Sequence, residues 1–521
     1  MTKERLAAID IGTNSIRCIV VECRPDGSFK TLDDEKETVR LGEGIAETGE
    51  ISPAAVARAE AALVRMRKLA DGLKVKGIEA VATSAMRKAQ NGPQLVKQLS
   101  TLLGSQIRVI TGEEEAALAA QSALRNFDTN GKRFGVIDVG GGSVELITAQ
   151  GTHVEEYYSF ELGAVVTTEQ FFKTDPVRST DLRRFQKHIR DTVKKQLAGD
   201  KLFLPMLIGS GGTINAIAQM ALQLRRNPVE GVHGLEVLRS EVVHLLAMLL
   251  RRDLKERRSI PGLSPDRADI IIAGVTLVDT LMELFSANTL LVNAHGVREG
   301  MIFEAIKRRG MGPGAEPPRS WRDSVIAFGQ SCQMDDAHSR QVARLSLSLF
   351  DQLAEPFGLK KRERVILETA ALLHDTGYYI SYHSHHKHSC HLIRHAELFG
   401  ITPREREMAA VVARYHRKSM PKKKHDEFQR LTVKEQQSVS RLAGILRLAD
   451  GLDRRRCATV ENLVCRVEGN LLQLLLSGSE DLAVELFGGS SKKDLFEKVF
   501  GLRVVFATTA LPQSREEEQT P

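Results

Sequence analysis

One phrase occurs twice in this chain of 521 residues, and the repeat restricts the folds that are open to it. The first copy reads Ala-Ile-Asp10-Ile-Gly12-Thr-Asn-Ser15, and the second reads Val-Ile-Asp138-Val-Gly140-Gly-Gly-Ser143. Apolar residues precede and follow each copy, which predicts a strand, a tight loop and a second strand. Internal repetition on this scale predicts a duplicated unit.

The loop residues are of the kind that binds phosphate. Gly12 and Gly140 permit a tight turn and let backbone N–H groups approach a phosphate closely. The hydroxyl groups add neutral donors, and the aspartate that ends each strand can hold a cation or a water. Two such loops facing each other would bind a phosphate chain from both sides, although a single Asp-x-Gly loop is more often an ordinary turn.

Composition excludes several classes of protein. The hydrophobic content of 42% is ordinary for a globular chain. An apolar stretch of about 18 residues is missing, as is a signal peptide, so we expect no membrane span and a cytoplasmic location. Six cysteines without a Cys-x-x-Cys pair suggest free thiols in a reduced compartment. Aromatic residues make up 5%, which argues against a stacking platform for specific nucleic-acid binding.

The positive charge is concentrated in the second half. The net charge is +7, and residues 320–460 hold 24 Lys and Arg against 16 Asp and Glu. A basic region of this kind attracts a polyanion. The alternative is a solvated basic surface without a ligand.

Strands and helices alternate in the first 308 residues, which predicts an α/β domain. The segment Gly209-Ser210-Gly211-Gly212-Thr213 follows a predicted strand and opens a helix, an arrangement that can bind an anion. Residues 308–318 have the composition of a linker. Beyond them the pattern changes to long helices, predicted at 335–355, 362–376, 403–416 and 435–450.

Several motifs occur in one fixed order along the chain. They are D10-I-G-T-N-S, A82-T-S-A-M-R87, T111-G-E-E-E-A116, D138-V-G-G-G-S-V-E145, G209-S-G-G-T213 and G296-V-R-E-G300. In this order they resemble the exopolyphosphatase/guanosine pentaphosphate phosphohydrolase family, and the similarity covers nearly the whole chain.

The resemblance implies a fold. It is a duplicated actin-like (ribonuclease H-like) two-lobed α/β core, followed by an all-helical HD-like domain and a small α+β domain. The expected divisions are lobe I at 1–130, lobe II at 131–308, the helical domain at 320–458, the α+β domain at 459–511, and a disordered tail at 512–521.

The resemblance also implies catalytic residues in the core. Glu115 matches the family's catalytic glutamate, and Arg87 matches an arginine that contacts substrate phosphates. Asp10, Asp138 and Glu145 match acids that hold Mg²⁺ or Mn²⁺. The alternatives are an acidic first helical turn for Glu113 to Glu115, which favours the helix dipole, and a helix-end cap for Arg87.

Three glycine-rich segments are expected to bind the phosphates of the substrate. Their residues are Gly12, Thr13, Asn14, Ser15, Gly140, Gly141, Gly142, Ser143, Gly209, Ser210, Gly211, Gly212 and Thr213.

The helical half holds ten of the fifteen histidines. Its residues His338, His374, Asp375 and Asp450 fit an HD-type signature, and such ligands on facing helices suit a transition metal. His388 and His416 are candidates for ligands of a second metal. The alternative is a helical domain that serves only as scaffold, and residues 383–388 are otherwise expected to form a polar loop.

The implied activity is the release of terminal phosphate from inorganic polyphosphate, and also of the γ-phosphate of guanosine pentaphosphate (pppGpp). Two alternatives stay open. In one, the HD-like site hydrolyses a nucleotide while the core senses polyphosphate or alarmone; in the other, the chain is a non-catalytic alarmone-binding regulator. The resemblance further implies a homodimer.

Overall fold

The computed structural model describes residues 4–508 except 25–26, 128, 130, 198–201, 226–228, 230, 312–319, 418 and 479. Most of the predicted linker and the whole predicted tail lie outside the described residues. The chain divides into two units. The first comprises Met1–Arg226 and Val232–Arg319, and the second comprises Asn227–Gly231 and Ser320–Pro521.

The first unit contains two sheets and their helices. Up to residue 126 the elements are β1 (Glu4–Ile11), β2 (Ser15–Cys23), β3 (Phe29–Thr38), α1 (Ile45–Thr48), α2 (Pro53–Gly72), β4 (Gly77–Ala82), α3 (Ser84–Lys88), α4 (Gly92–Leu103), β5 (Ile107–Val109) and α5 (Gly112–Asn126). They continue with β6 (Arg133–Val139), β7 (Val144–Gln150), β8 (His153–Phe160), α6 (Ala164–Phe171), α7 (Ser179–Gln196), β9 (Met206–Ser210), α8 (Gly212–Leu224), β10 (Glu236–Leu238), α9 (Arg239–Leu250), α10 (Leu254–Arg257), α11 (Ile271–Leu284), β11 (Thr289–Val292) and α12 (Val297–Arg308).

The two sheets repeat one topology. The first has the order β3-β2-β1-β4-β5, and the second, taken from its β8 end, has the order β8-β7-β6-β9-β11 with β10 added. In both, the central strand (β1 or β6) pairs antiparallel with the strand that follows it (β2 or β7) and parallel with the fourth strand of its lobe (β4 or β9). The two-lobed α/β core predicted from the repeated phrase is thereby confirmed.

Burial explains why the repeated segments form strands. The central part of β1 is buried on both faces, and β6 is buried except at Arg133. Runs of this kind occur in strands whose two faces are both covered. The edge strand β3 is acidic and partly exposed, which keeps that edge polar.

Two helices pack on the sheet of the opposite lobe. Helix α5 follows the first sheet, yet its buried alanines pack on Phe134, Val136 and Ile147 of the second. Helix α12, which the predicted boundary assigns to lobe II, packs on β1 and β2 of the first sheet. The two helices cross closely, since a Cβ at Gly300 would lie 2.3 Å from Leu118 O. The exchange places the start of α5 between the lobes.

The second unit is helical and ends in a small sheet. Its elements are α13 (Trp321–Ser331), α14 (Asp336–Phe357), α15 (Lys361–Leu373), a 3-10 turn (Thr376–Tyr379), α16 (His385–His395), α17 (Pro403–Arg414), α18 (Asp426–Gln429), α19 (Val433–Gly451), β12 (Asn462–Glu468), β13 (Leu471–Ser477), α20 (Ala483–Lys492), α21 (Asp494–Phe500) and β14 (Arg503–Thr508). One apolar cluster joins the helices to strand β13 through Leu472, Leu474 and Leu476. Among the described residues, no helix combines the length and the apolar character that crossing a bilayer requires.

Candidate active site

The two repeated loops have the same backbone geometry. In each hairpin the strands pair up to the loop, with Ile11 opposite Ile16 and Val139 opposite Val144. The Gly12 N–H donates to Ser15 O at 3.1 Å, and the Gly140 N–H donates to Ser143 O at 3.1 Å. The sequence repeat is therefore a repeat of one four-residue turn.

The loops lie against each other, and glycine is what permits the approach. A Cβ at Gly141 would lie 3.2 Å from the Asn14 nitrogen. A Cβ at Gly142 would lie 2.5 Å from Thr13 Oγ1 and 2.6 Å from Ser84 Oγ. Side chains at these positions would fill the space between the loops.

A cleft opens between the loops, and Asp10 and Asp138 both line it. The other lining residues are Gly12, Thr13, Asn14, Ser15, Arg17, Thr83, Ser84, Glu115, Val139, Gly140, Gly141, Gly142, Ser143, Ala164, Gly211, Gly212, Arg267, Ile270, Ala294, His295, Gly296, Val297, Arg298 and Glu299. The predicted phosphate loops thus share one groove. This is the arrangement that their sequence suggested.

The third glycine segment contributes only its middle to the cleft. Gly211 and Gly212 line it, and Gly211 has a φ of 94°, which glycine adopts without strain. Gly209 instead packs on Leu290 and Ile214 inside the sheet. Ser210 and Thr213 are buried, and Ser210 lies opposite Asp138 in the register of β9 and β6.

Glu115 reaches the cleft because of the way helix α5 begins. Thr111 caps the helix, its Oγ1 accepting from the Glu114 N–H at 3.1 Å, and the Glu114 carboxylate accepts from the Thr111 N–H at 2.8 Å. Glu113 and Glu114 are exposed, whereas Glu115 turns inward and is 8% exposed. Its Oε2 has no hydrogen-bond partner among the described residues and lies 3.8 Å from the Arg87 guanidinium.

Four carboxylates in this region share a high cost of ionisation. Burial raises the pKa of Asp10 and of Asp138 to about 6 each. Burial, together with the charge of Asp138, raises the pKa of Glu145 to about 8, although Ser159 Oγ donates to it at 3.0 Å. The pKa of Glu115 is raised well above its usual value, by burial first and then by Glu145.

The residues present fit a divalent cation. Asp10 Oδ1 is buried without a hydrogen-bond partner among the described residues. Asp138 and Glu145 are opposed across the β6–β7 ladder. A hard oxygen-binding cation would neutralise such a cluster, and Mg²⁺ typically uses one or two carboxylates together with substrate phosphates. Glu145 is not among the cleft-lining residues and is 1% exposed.

Comparison with known families gives two matches in chain order. The model described as the Ppx/GppA phosphatase family matches residues 19–309, and the model described as Ppx/GppA phosphatase, domain III, matches residues 322–484. This chain belongs to the Ppx/GppA phosphatase family.

Relatives of known name and structure agree with this membership. A guanosine-5'-triphosphate,3'-diphosphate pyrophosphatase of Vibrio vulnificus is 27% identical, with 90% of this chain and 91% of the relative covered. An exopolyphosphatase of Cytophaga hutchinsonii gives a TM-score of 0.55 at 26% identity over 59% of this chain and 100% of its own. The Aquifex aeolicus family member gives 0.50 at 28% identity over 59% of this chain and 99% of its own.

Three arginines in the cleft were missed by sequence reasoning or given no binding role. Arg17 lies opposite Asp10 in the hairpin register, so a four-residue loop between their strands already implied its position. Arg298 pairs with Asp34 and with Glu299, and its motif contributed to the family resemblance without being assigned a binding role. Arg267 approaches Gly212, and no local pattern marks it.

The predicted metal residues of the second unit also come together in part. His338, His374 and Asp450 offer donor atoms within 4.8 Å of one another, and so do Asp375, His385 and His416. His388 was expected here but lies outside both groups and is partly exposed. The reason is local: residues 385–395 form helix α16 rather than a polar loop, and the helix turns His385 inward.

Proposed function

We propose that this chain hydrolyses the terminal phosphoanhydride bond of inorganic polyphosphate and of pppGpp, releasing orthophosphate. The observation that carries the proposal is a single cleft holding both four-residue loops and the buried carboxylate of Glu115. The names of its relatives support the same substrate class, since they are a pentaphosphate pyrophosphatase and an exopolyphosphatase. Both substrates end in a phosphoanhydride, so one site suits both.

Different groups of the chain bind the phosphates, accept the proton and stabilise the developing charge. The N–H and hydroxyl groups of the loops bind the terminal and next phosphates, and the loop after β9 adds the amides of Gly211 and Gly212. Glu115 accepts the proton of a water that attacks the terminal phosphorus in line. Arg87 stabilises the charge that develops on the transferred group.

A divalent ion at Asp10, Asp138 and Glu145 completes this proposal. When bound, Mg²⁺ or Mn²⁺ supplies positive charge to the phosphate oxygens. The raised pKa values of these acids support the assignment, because groups that resist ionisation alone become favourable ligands for a cation.

The basic second half favours a long polyanion as one substrate. Each phosphate beyond the two in the cleft can gain a further contact with a basic surface. We therefore propose that long polyphosphate binds more tightly, and with a stronger salt dependence, than pppGpp.

The alternative in which an HD-like site is the enzyme and the core a sensor is not supported by the comparisons. A sensor has no need of a base, yet Glu115 lies in the cleft beside Asp10 and Asp138. The same residues argue against a non-catalytic regulator.

We also propose several properties of the fold, the location and the assembly of this chain. They are an actin-like core, an HD-like helical domain with a transition metal at His338, His374, Asp375 and Asp450, a cytoplasmic location, no specific nucleic-acid partner, and a homodimer. The six cysteines, all unpaired, support a reduced compartment.

A substrate panel tests the proposed activity. The purified chain is supplied with Mg²⁺ and with long polyphosphate, pppGpp or a phosphomonoester, and released orthophosphate is measured. We expect release from the first two and little from the third. Release from the monoester alone, or from none of the three, would overturn the proposal, and a Glu115→Gln preparation made in parallel detects a contaminating phosphatase.

A further inference from the structure

Six metal-ligand side chains from five segments of the second unit converge in its interior. They are His338 on α14, His374 and Asp375 after α15, His385 on α16, His416 after α17, and Asp450 on α19. All six are buried, the four histidines at 2% exposure or less. Nothing in the chemistry proposed for the first unit uses them.

Hydrogen bonds fix which ring nitrogen of each histidine faces the centre. The Nδ1 atoms of His374 and His416 lie 2.8 Å from Ala371 O and 2.7 Å from Ala413 O. Since a carbonyl only accepts, these nitrogens carry the proton, and Nε2 keeps its lone pair in the neutral ring. His385 Nδ1 lies 3.1 Å from Tyr382 O and 3.5 Å from Arg417 Nη1, and the shorter contact with the carbonyl places the proton on Nδ1 here too. An Nδ1–H held by an oxygen is the usual outer support of a metal-binding histidine.

The fourth histidine is supported by a carboxylate. His338 Nδ1 lies 2.7 Å from Asp453 Oδ2, and Asp453 is itself held by the Ala458 N–H at 2.9 Å. Asp453 therefore acts as a positioning residue that turns His338 Nε2 toward the centre.

The inward-facing nitrogens lack acceptable protein partners. His338 Nε2 and His374 Nε2 are buried and have no hydrogen-bond partner among the described residues. His385 Nε2 and His416 Nε2 lie 3.2 Å from each other. With the proton on Nδ1 in both rings, two lone pairs face each other at that distance, an arrangement that a cation would stabilise.

The other five ligands form two groups, and Asp375 lies between them with one carboxylate oxygen near each group. Its Oδ2 lies 3.6 Å from His374 Nε2 and 3.8 Å from His338 Nε2. Its Oδ1 lies 3.3 Å from His385 Nε2 and 3.6 Å from His416 Nε2. A carboxylate with one oxygen in each group is in the position of a bridging ligand, as in centres whose two ions are about 3.5–4 Å apart.

Two basic side chains contact the same carboxylates from outside the histidine groups. Lys492 pairs with Asp450 Oδ2, which leaves Oδ1 facing His338 Nε2 at 3.6 Å. Arg456 pairs with Asp375 Oδ2 at 2.5 Å, and its side chain is 37% exposed. Arg456 can therefore move toward solvent when Asp375 binds a metal.

We infer that the second unit holds a two-metal centre. One ion is bound by His338, His374 and Asp450, the other by His385 and His416, and Asp375 bridges them. Four imidazoles with two carboxylates select a first-row transition ion such as Mn²⁺, Fe²⁺ or Zn²⁺ over Mg²⁺ or Ca²⁺. The sequence suggested a second ion at His388 and His416, whereas the structure puts His385 in place of His388 and adds Asp375 as the bridge between the two ions.

Metal stoichiometry tests the inference on the full chain. The protein is stripped with a chelator and titrated with Co²⁺ under visible absorbance in excess Mg²⁺, which occupies the carboxylate site proposed in the first unit. Bound Co²⁺ is then measured after dialysis against the same Mg²⁺ buffer. We expect a break at two equivalents and two ions retained per chain. A break at one equivalent, or retention of less than a tenth of an ion, overturns it.

A matched pair of histidines on one helix tests the ligand assignment. His385→Gln should lower the retained metal to about one ion per chain, whereas His388→Gln, three residues further along α16, should leave it at two. Equal losses in both variants, or in neither, contradict the assignment. Thermal unfolding supplies a second readout, because a ligand of the native state raises the midpoint. The metal-induced rise should be smaller in His385→Gln than in His388→Gln. Since neither readout measures phosphate release, failure here leaves the activity of the first unit a separate question.

Discussion

Glu113, Glu114 and Glu115 lie in the same first turn of α5, and they differ in the direction that their side chains take. Glu114 completes a capping box with Thr111, Glu113 lies in solvent, and Glu115 is buried beside the carboxylates of the second sheet. A general base is most effective when its pKa lies near the working pH, and burial is the means of raising it.

The acidic limb of the rate should report the pKa of Glu115. Because burial and Glu145 raise that pKa, kcat/KM should fall as the pH drops through a value well above that of a free glutamate. The Arg87 charge lowers the pKa of Glu115, so Arg87→Gln should move the limb to higher pH. Arg108→Gln serves as the control, since Arg108 pairs with Glu114 at the surface. If the acidic limb of kcat/KM lay at the same pH in wild type and in Arg87→Gln, it would not report the pKa of Glu115.

Glu145 should make the metal-free chain less stable as the pH rises. Its pKa is about 8 in the folded protein against 4.5 for the free side chain, so its contribution is fully present below 4.5 and is lost by about pH 8. One bound proton changes the free energy of unfolding by about 1.4 kcal/mol per pH unit within that window. We expect Glu145→Gln to flatten this dependence in chelator and to raise the unfolding midpoint at pH 8.

Circular dichroism is the measurement for this comparison, because the only tryptophan, Trp321, lies in the second unit and would not report on the first. An equal pH dependence in Glu145→Gln and in wild type would show that the carboxyl is not held protonated. Added Mg²⁺ should reduce the difference between the two proteins if it binds this carboxylate.

Individual residues were predictable to the extent that a local pattern marks them. The aspartates that end β1 and β6 follow from the strand-loop-strand phrase, and the cleft holds both. Arg267 is brought in by tertiary packing against Gly212, which no spacing in the sequence reveals. His385 was missed because a His-rich stretch suggested a polar loop, whereas the partly buried residues of α16 form a helix.

At the scale of elements, the two repeated four-residue loops need glycine at the positions where they contact each other. A methyl group at Gly142 would lie 2.5 Å from Thr13 Oγ1 and 2.6 Å from Ser84 Oγ. Gly142→Ala should therefore push the loops apart and lower kcat/KM for pppGpp at least tenfold. Gly72→Ala is the matched control, because a Cβ there meets nothing within 4 Å at the end of α2. Full activity in Gly142→Ala would show that the loops need not meet.

Elements with strong periodicity or clear end signals were predicted well. Ser52 and Pro53 are sequence signals for the start of a helix, and in the structure Ser52 caps α2, its Oγ accepting from the Ala55 N–H at 3.3 Å, while Pro53 is its first residue. Strand β3 went unrecognised because its sequence is acidic and mostly polar, and such a strand forms only by pairing with β2. The packing of α5 and α12 on opposite sheets is likewise a property of tertiary contacts rather than of either helix.

At the scale of the whole molecule, the first unit contains nearly all of the segment that the Ppx/GppA family model matches, residues 19–309. The Aquifex and Cytophaga chains align over 99% and 100% of their own length with 59% of this one. A fragment ending at residue 311 should therefore fold and release phosphate from pppGpp at a rate within about tenfold of the full chain. Loss of the basic second half should weaken the binding of long polyphosphate more than the binding of pppGpp. It should also reduce the salt dependence of polyphosphate binding.

The binding of pppGpp and of long polyphosphate to that fragment must be measured at two salt concentrations. An equal loss for pppGpp and polyphosphate would remove the second half from polyanion binding. An unfolded fragment would show that the first unit depends on the second for stability.

Glu115→Gln should separate substrate binding from the chemical step, because it removes the base and keeps the size of the side chain. The Kd and kcat for pppGpp are measured in wild type, in Glu115→Gln and in the exposed control Glu113→Gln. We expect Glu115→Gln to lower kcat at least about 100-fold, the usual range for a positioned base, while Kd changes less than about threefold. Glu113→Gln should match wild type in both. A wild-type kcat in Glu115→Gln would contradict the claim that this carboxylate activates the attacking water.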